Sequence, residues 1–150
     1  MNINLRFATP DDKEFCRRVH HLAYRDVIVR QFGQWNETLQ DSFFEKNWIS
    51  SALQIIEFGG RAVGCFSRDI RHDDISINEI EVLPQYQSQG IGTQLLVQQL
   101  DEARRLRLPI HLQVLRENRA RNLYERLGFK AYDKTETHLL MELTDQKTML

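Results

Sequence analysis

The sequence predicts an α/β fold of the α+β type, with about seven strands and about four helices. Three observations predict it. Short β-branched or alternating segments bounded by turn residues are typical of strands. Longer segments with apolar residues at helical spacing lie among them. One strand turns through two glycines directly into a helix. At 150 residues the chain has the length of one domain, so we expect a single domain over residues 1–150, with 145–150 as a frayed tail.

The first elements follow from alternation and helix capping. Ile3–Phe7 alternates apolar and polar residues and predicts a strand. Thr9, followed by a proline and two aspartates, begins a helix expected to run to about residue 31, where Gly33 ends it. A second helix is expected over residues 37–48. The apolar positions expected to face inward on these helices are Phe15, Val19, Leu22, Leu39 and Phe43.

The remaining elements follow from the same patterns. They are a hairpin of residues 52–58 and Arg61–Ile70, a strand Ile75–Val82, a helix 93–106 with Leu96, Leu100 and Ala103 inward, a strand Ile110–Leu115, a short helix ended by Gly128, and strands 129–133 and 137–143.

Composition excludes several function classes. Twenty basic and twenty-one acidic residues leave a net charge of −1, which does not favour nucleic acid or a membrane surface. No apolar run reaches the roughly 18 residues of a membrane span. Cys16 and Cys65 have no pairing pattern, so reduced thiols and a cytoplasmic location are expected. Because the adjacent His20 and His21 cannot share a helix face, no metal site is expected.

A glycine-containing loop predicts an anion site. The strand Ile75–Val82 is followed by Gln87-Ser-Gln-Gly-Ile-Gly92 and then by a helix. Such a junction presents free backbone N–H groups and the positive end of a helix dipole, which together bind pyrophosphate. Gly90 and Gly92 allow an anion to approach the backbone closely because they carry no Cβ.

Two motifs give the chain a family resemblance. The pattern Gln-x-x-Gly-x-Gly, together with Asn118-Arg-Ala-Arg-Asn-Leu-Tyr-Glu-Arg-Leu-Gly-Phe129, resembles the acetyl-coenzyme A loop and a later helix of the GCN5-related N-acetyltransferases (GNAT). The resemblance implies a mostly antiparallel, splayed sheet, acetyl-CoA as co-substrate, no metal, and direct transfer to an amine in a ternary complex. The implied cofactor contacts are Val82, Leu83, Gln87, Ser88, Gln89, Gly90, Ile91, Gly92, Thr93 and Asn118. Asn118 stands six residues before Tyr124, where the family pattern has seven.

The catalytic candidates follow from the chemistry of amine acetylation. Ile75 and Ile77 are out of phase with the next apolar pair, so a β-bulge near Asn78 and Glu79 is expected, as in the family. Glu79 and Glu81 then share one face, and either carboxylate can take the proton of an ammonium group. By resemblance, Tyr124 occupies the position of the acid that protonates the leaving thiolate. The oxyanion is expected to accept a hydrogen bond from the Val82 N–H or its neighbour.

The acceptor is left open by the sequence. The first two helices form one wall of the substrate groove in the family, and Arg25, Gln34 and Trp35 near the break at Gly33 are expected to face it. Two carboxylates favour a cationic amine, without separating a polyamine, an amino acid, an antibiotic-like amine and a protein N-terminus. A catalytically silent acyl-CoA sensor and a nucleic-acid binder using the arginines after residue 103 are the alternative functions. Both a monomer and a homodimer fit the sequence.

Overall fold

A computed structural model describes residues 2–49 and 52–144. The described chain contains seven strands and four α-helices, which confirms the predicted fold class. The strands are β1 (Ile3–Phe7), β2 (Gln54–Phe58), β3 (Arg61–Ile70), β4 (Ile75–Val82), β5 (Ile110–Leu115), β6 (Lys130–Lys134) and β7 (His138–Leu143). The helices are α1 (Lys13–Phe32), α2 (Glu37–Asn47), α3 (Ile91–Leu106) and α4 (Ala120–Arg126).

The strands form one mixed sheet in the order β1-β2-β3-β4-β5-β7-β6. β4 and β5 pair in parallel, whereas β1·β2, β2·β3, β5·β7 and β6·β7 pair antiparallel. The predicted tail 145–150 lies outside the described residues. Among the described residues, no helix has both the length and the apolar character to cross a bilayer.

The chain divides into two compact units, and β3 and β4 each contribute to both. The first unit comprises Met1–Ser67 and Glu79–Gly92. Its helix α1 begins after a 3₁₀ turn, Pro10–Asp12, and ends at Gly33, whose φ of 88° is readily adopted only without a Cβ.

The inner faces of α1 and α2 differ from those expected. Leu22, Leu39 and Phe43 are 45%, 47% and 48% exposed, so the prediction that they point inward is wrong. On α2 the inward stripe is instead Gln40, Phe44 and the following Trp48, spaced four residues apart. Leu39 and Phe43 each precede a residue of this stripe by one position. Because one position along a helix corresponds to a rotation of about 100°, neither side chain lies on the inward stripe.

The second unit comprises Arg68–Asn78 and Thr93–Leu150. Leu96, Leu100 and Ala103 of α3 are buried, as predicted. β4 pairs with β5 from Ile75 to Ile77. Next to this paired segment, the His111 Nδ1–H donates to Asp74 Oδ2 at 2.8 Å, and the His111 Nε2 lies 3.2 Å from Glu142 Oε2. Hydrogen bonds from Arg71 and His111 lower the pKa of buried Asp74 to about 2.

One glycine within a strand controls how closely β3 approaches β4 in the first unit. A Cβ on Gly64 would overlap the carbonyl oxygen of Glu81 and lie 3.1 Å from the Cα of Val82. Next to this contact, the Leu83 N–H donates to the carbonyl oxygen of Val63 at 2.8 Å. The strands can lie at this separation only because residue 64 has no side chain. The predicted bulge near Asn78 and Glu79 stays a prediction.

We therefore predict that Gly64→Ala lowers the free energy of unfolding by about 3 kcal/mol or more, because the backbone of β4 must move away. Thermal unfolding measures the effect. Gly60→Ala is the matched control, since a Cβ there meets open space and only the φ of 78° opposes it, at about 1–2 kcal/mol. Equal losses of stability in the two variants would contradict the close approach.

Candidate active site

A cavity of about 60 Å³ lies within the first unit, beside the second half of β4. That volume holds a few water molecules or a small chemical group. Its lining residues come from α1, α2, β3, β4 and the segment after α2. The described residues that line it are Cys16, His20, Phe43, Phe44, Asn47, Trp48, Leu53, Cys65, Glu79 and Glu81.

The polar side of the cavity consists of two carboxyl groups and one imidazole. Glu79 and Glu81 both line it, so the predicted shared face brings the two side chains to one space. Glu81 is only 4% exposed, and its Oε2 accepts a hydrogen bond from the His20 Nδ1–H at 2.9 Å. A buried carboxylate requires such a partner, because its hydration has been removed. α1 thus supplies the donor that stabilises the Glu81 carboxylate.

Burial and charge divide the protons among these three groups. Burial, together with the negative charge of neighbouring Glu81, raises the pKa of Glu79 to about 8. Burial lowers the pKa of His20, but the hydrogen bond to Glu81 and the charges of Glu81 and Glu79 outweigh it, so the pKa lies above its usual 6.5. At pH 7, Glu79 is therefore mostly neutral and ready to ionise when a positive charge enters the cavity.

The opposite side of the cavity is aromatic. The rings of Phe44 and Trp48 stack with centroids 5.5 Å apart, and both pack against the core cluster of the unit. The ring of Phe44 also lies 6.4 Å from the imidazole of His20. Phe43 is half exposed although it lines the cavity, which places it at the open side.

Two thiols form another part of the lining. Cys16 and Cys65 are buried and free, with their sulfur atoms 3.4 Å apart. The hydrogen bond with Cys16 and burial raise the pKa of the Cys65 thiol. A thiol in this environment is a poor nucleophile. The geometry gives neither cysteine the activated surroundings that an acyl-enzyme intermediate requires.

The glycine loop continues from β4 in the same unit. Gln87 Nε2 donates to the carbonyl oxygen of Val82 at 2.9 Å, which ties the loop to the end of the strand. Ser88 and Gly90 adopt left-handed φ values of 63° and 83°. Helix α3 then begins at Ile91, and the N–H groups of its first turn have no acceptor within the helix.

The loop fits a pyrophosphate group. Gly90 is exposed, and a Cβ built on it meets nothing within 4 Å, so an anion can approach the backbone there. Leu83 is buried, whereas Ser88, Gln89 and Thr93 are exposed. The cofactor contacts predicted along this segment remain predictions.

Tyr124 and Asn118 lie in the second unit. Tyr124 is 8% exposed, and burial raises its pKa to about 12, so its phenol stays protonated at pH 7. The Asn118 Oδ1 accepts a hydrogen bond from the Ala120 N–H at 2.9 Å, which stabilises the start of α4. The proton donation predicted for Tyr124 and the cofactor contact predicted for Asn118 stay predictions.

The three predicted acceptor contacts lie outside the lining of the cavity. Arg25 and Gln34 are exposed. Trp35 is half-buried with its ring against His21, and its Nε1–H donates to Glu37 Oε2 at 2.6 Å. Their proposed contact with the acceptor stays a prediction.

A second polar cluster joins α1 to α2. His21, Glu37 and Asp41 place one ligand atom each within 4.8 Å of one another. The Arg17 guanidinium already donates to Asp41 Oδ1 at 2.9 Å, and the His21 Nε2–H donates to the same oxygen at 2.6 Å. This network accounts for the cluster as a set of ion pairs between two helices.

His20 is the site residue that sequence reasoning missed. The sequence pattern presents it only as a candidate metal ligand next to His21. Its partner Glu81 is 61 positions away, so no local pattern connects the two. The only available signal is the position of His20 on the predicted first helix, next to Val19, which was expected to face inward.

Comparison with known proteins identifies the family. The sequence pattern of the acetyltransferase (GNAT) domain matches residues 50–131. No curated protein matches the sequence.

Three solved structures illustrate the shared fold. The PaiA N-acetyltransferase of Thermoplasma acidophilum, in complex with coenzyme A, is 17% identical with a TM-score of 0.78, over 96% of this chain and 99% of that one. PH1933 from Pyrococcus horikoshii OT3 is 23% identical with a TM-score of 0.71, over 96% and 99%. The ribosomal-protein-S18-alanine N-acetyltransferase of Escherichia coli is 22% identical with a TM-score of 0.65, over 94% and 92%. With more than half of its residues matched by the domain pattern, the chain belongs to the GNAT acetyltransferases, a family of acyltransferases that use acetyl-coenzyme A.

Proposed function

We propose that the protein transfers an acetyl group from acetyl-CoA directly to an amine acceptor within a ternary complex. The observation that carries the proposal is the cavity beside β4, the strand that leads into the glycine loop. There Glu79 and Glu81 of β4 line the same space as His20 of α1, and His20 donates a hydrogen bond to Glu81. The glycine loop would hold the pyrophosphate of the co-substrate. The coenzyme A in the complex of the Thermoplasma acidophilum protein supports that choice of ligand.

The proposed mechanism assigns one step to each group. An ammonium group entering the cavity favours the ionised form of Glu79, which then takes the proton of the amine. The free amine attacks the acetyl carbonyl carbon, and the Val82 N–H donates a hydrogen bond to the resulting oxyanion. The tetrahedral intermediate then breaks its carbon–sulfur bond, and the leaving thiolate accepts the phenolic proton of Tyr124, while the nitrogen gives up its second proton, which restores the phenol and leaves a neutral amide.

The other parts of the proposal concern binding and context. We assign the loop contacts from Val82 to Thr93 and the Asn118 contact to acetyl-CoA, and Arg25, Gln34 and Trp35 to the outer part of the acceptor. The two units would work as one N-acetyltransferase domain, cytoplasmic and either monomeric or homodimeric. A silent acyl-CoA sensor is the second candidate function, favoured by the exposed glycine loop and opposed by the pKa of Glu79, which suits a base.

We predict that kcat/KM of the wild-type protein rises with pH through an inflection near 8, because the base form of Glu79 appears there. Glu79→Gln removes that inflection and lowers kcat/KM by about 10²-fold. Glu45→Gln, which changes an exposed carboxylate on α2 outside the cavity lining, keeps the wild-type profile. An unchanged profile in Glu79→Gln would exclude Glu79 as the base.

Thermal unfolding gives an independent readout of the same group. The folded protein holds the pKa of Glu79 above its ordinary 4.5, so the neutral form is the stabilising one. In the wild type, the contribution of this group to the free energy of unfolding is fully present below pH 4.5 and is lost as the pH rises through about 8. The Tm of Glu79→Gln relative to wild type should therefore increase between these pH values.

We predict that Gly90→Val abolishes binding of acetyl-CoA while the protein still folds, because the new side chain fills the space above the loop. Thermal unfolding with ligand at about a hundred times its Kd should stabilise the wild type by about 2.7 kcal/mol and leave this variant unshifted. Gly33→Val is the matched control, with a φ of 88° against 83° and equally open space around its Cβ. A normal ligand shift in Gly90→Val would show that the loop does not hold the co-substrate.

We predict that Tyr124→Phe lowers kcat by about 10²-fold or more with little change in the affinity for acetyl-CoA, since only the proton donor is lost. Steady-state kinetics and ligand-dependent unfolding measure the two quantities. Tyr132→Phe is the control, because Tyr132 is half exposed on β6 against His111. Unchanged turnover in Tyr124→Phe would remove the phenol from the mechanism.

A further inference from the structure

The lining of the acceptor cavity restricts the class of amine, given the proposed function. Its polar groups are Glu79, Glu81, His20, Asn47 and the two thiols. Among the described lining residues, His20 is the only basic one, and its Nδ1–H is already committed to Glu81. An amine that carries a carboxylate next to its nitrogen would therefore bring a third carboxylate into a partly buried space whose described lining offers no free cation.

Buried like charges are costly. Burial, together with the negative charge of Glu81, already raises the pKa of Glu79 to about 8. An added carboxylate would meet the same repulsion, and His20, the one basic residue of the described lining, is already paired with Glu81. A cationic ammonium has the opposite effect, because it compensates the charge of ionised Glu79. The charge of the cavity thus favours amines that carry no carboxylate on the amine-bearing carbon over α-amino acids.

Volume selects the shape of the amine. The cavity of about 60 Å³ accepts an ammonium group with a few methylene groups, and an unbranched chain is the shape that fits this small space with the least steric conflict. Phe44 and Trp48 form a stacked wall that suits both a cation and the methylene groups attached to it. A primary amine on an unbranched chain fits this part of the site.

The open side of the cavity selects the part of the acceptor that lies beyond the amine. Phe43 lines it and is half exposed, and Leu39 precedes it by one turn on α2 with 47% exposure. An apolar chain would cover Phe43 as it leaves the cavity and remove apolar area from water. A second ammonium at that position would take the place of the apolar contact with Phe43, and the described lining residues beyond Glu79 and Glu81 offer it no carboxylate partner.

We propose that the acceptor is a primary monoamine without a carboxylate next to its nitrogen, carrying an unbranched apolar chain that leaves the cavity over Phe43. The positively charged head is recognised by Glu79 and Glu81, and the chain by the aromatic side of the cavity.

Three matched probes test the proposal with the full chain and acetyl-CoA. Pentylamine is the expected acceptor type. Norleucine is pentylamine with a carboxylate on the amine-bearing carbon, and cadaverine is pentylamine with a second ammonium at the far end. The acetylated products are quantified by mass spectrometry. We expect kcat/KM for pentylamine to exceed that for norleucine by about 10²-fold or more, because of the buried like charge. It should exceed that for cadaverine by about tenfold, because of the lost apolar contact.

A substitution at the open side separates recognition of the chain from recognition of the head. Phe43→Glu should raise the ratio of kcat/KM for cadaverine to that for pentylamine by about tenfold or more, since it supplies the missing carboxylate. Phe32→Glu is the matched control, because Phe32 is 50% exposed on α1 and does not line the cavity. In Phe32→Glu, the ratio of kcat/KM for cadaverine to that for pentylamine should stay at the wild-type value. The Tm of each variant checks that it folds.

Each other outcome overturns the proposal in a distinguishable way. Preference for norleucine, for cadaverine or for a short peptide with a free N-terminus would replace the proposed acceptor class and leave acetyl transfer intact. Thermal stabilisation by acetyl-CoA without turnover of any probe would exclude this acceptor class and leave the co-substrate site standing. Neither stabilisation nor turnover would overturn the proposed function itself.

Discussion

The close contact between β3 and β4 at Gly64 is the constraint on which the site depends. Because residue 64 has no side chain, the backbone of Glu81 and Val82 lies directly against it. Leu83 is then buried in the core cluster and donates to Val63, which fixes the point where β4 ends. The position of the strand sets the position of Glu81 beside α1. The loop begins from the same anchored end, so the cavity and the glycine loop share one structural origin.

The electrostatics of the cavity follow from that placement. Glu81 is 4% exposed, and a carboxylate without a partner there would cost several kcal/mol. His20 supplies the partner, at the expense of burying much of an imidazole. Glu79 is half-buried beside the charge of Glu81, and its carboxyl group is consequently mostly neutral at pH 7. An apolar pair of similar volume could stabilise the fold as well or better. Stability alone therefore does not explain the three groups, which agrees with the proton transfer proposed for Glu79.

The sequence predicted the features that depend on local pattern and missed those that depend on distant contacts. The inner face of α3 and the end of α1 at Gly33 were predicted correctly, since periodicity and a left-handed glycine are local signals. The inner face of α2 was predicted wrongly, because its stripe contains the polar Gln40 and continues past the helix end to Trp48. Gly64 carries no turn signal, and its role becomes visible only beside β4.

The same division explains why the reaction class is easier to predict than the acceptor. The motifs that indicate acetyl transfer are two continuous stretches, Gln87–Gly92 and Asn118–Phe129, where neighbouring residues must have specific types. We expect selectivity for the acceptor to depend instead on which side chains of α2 line the cavity, among them Phe43 and Phe44. Helical rotation is set by packing over the whole element and leaves no motif.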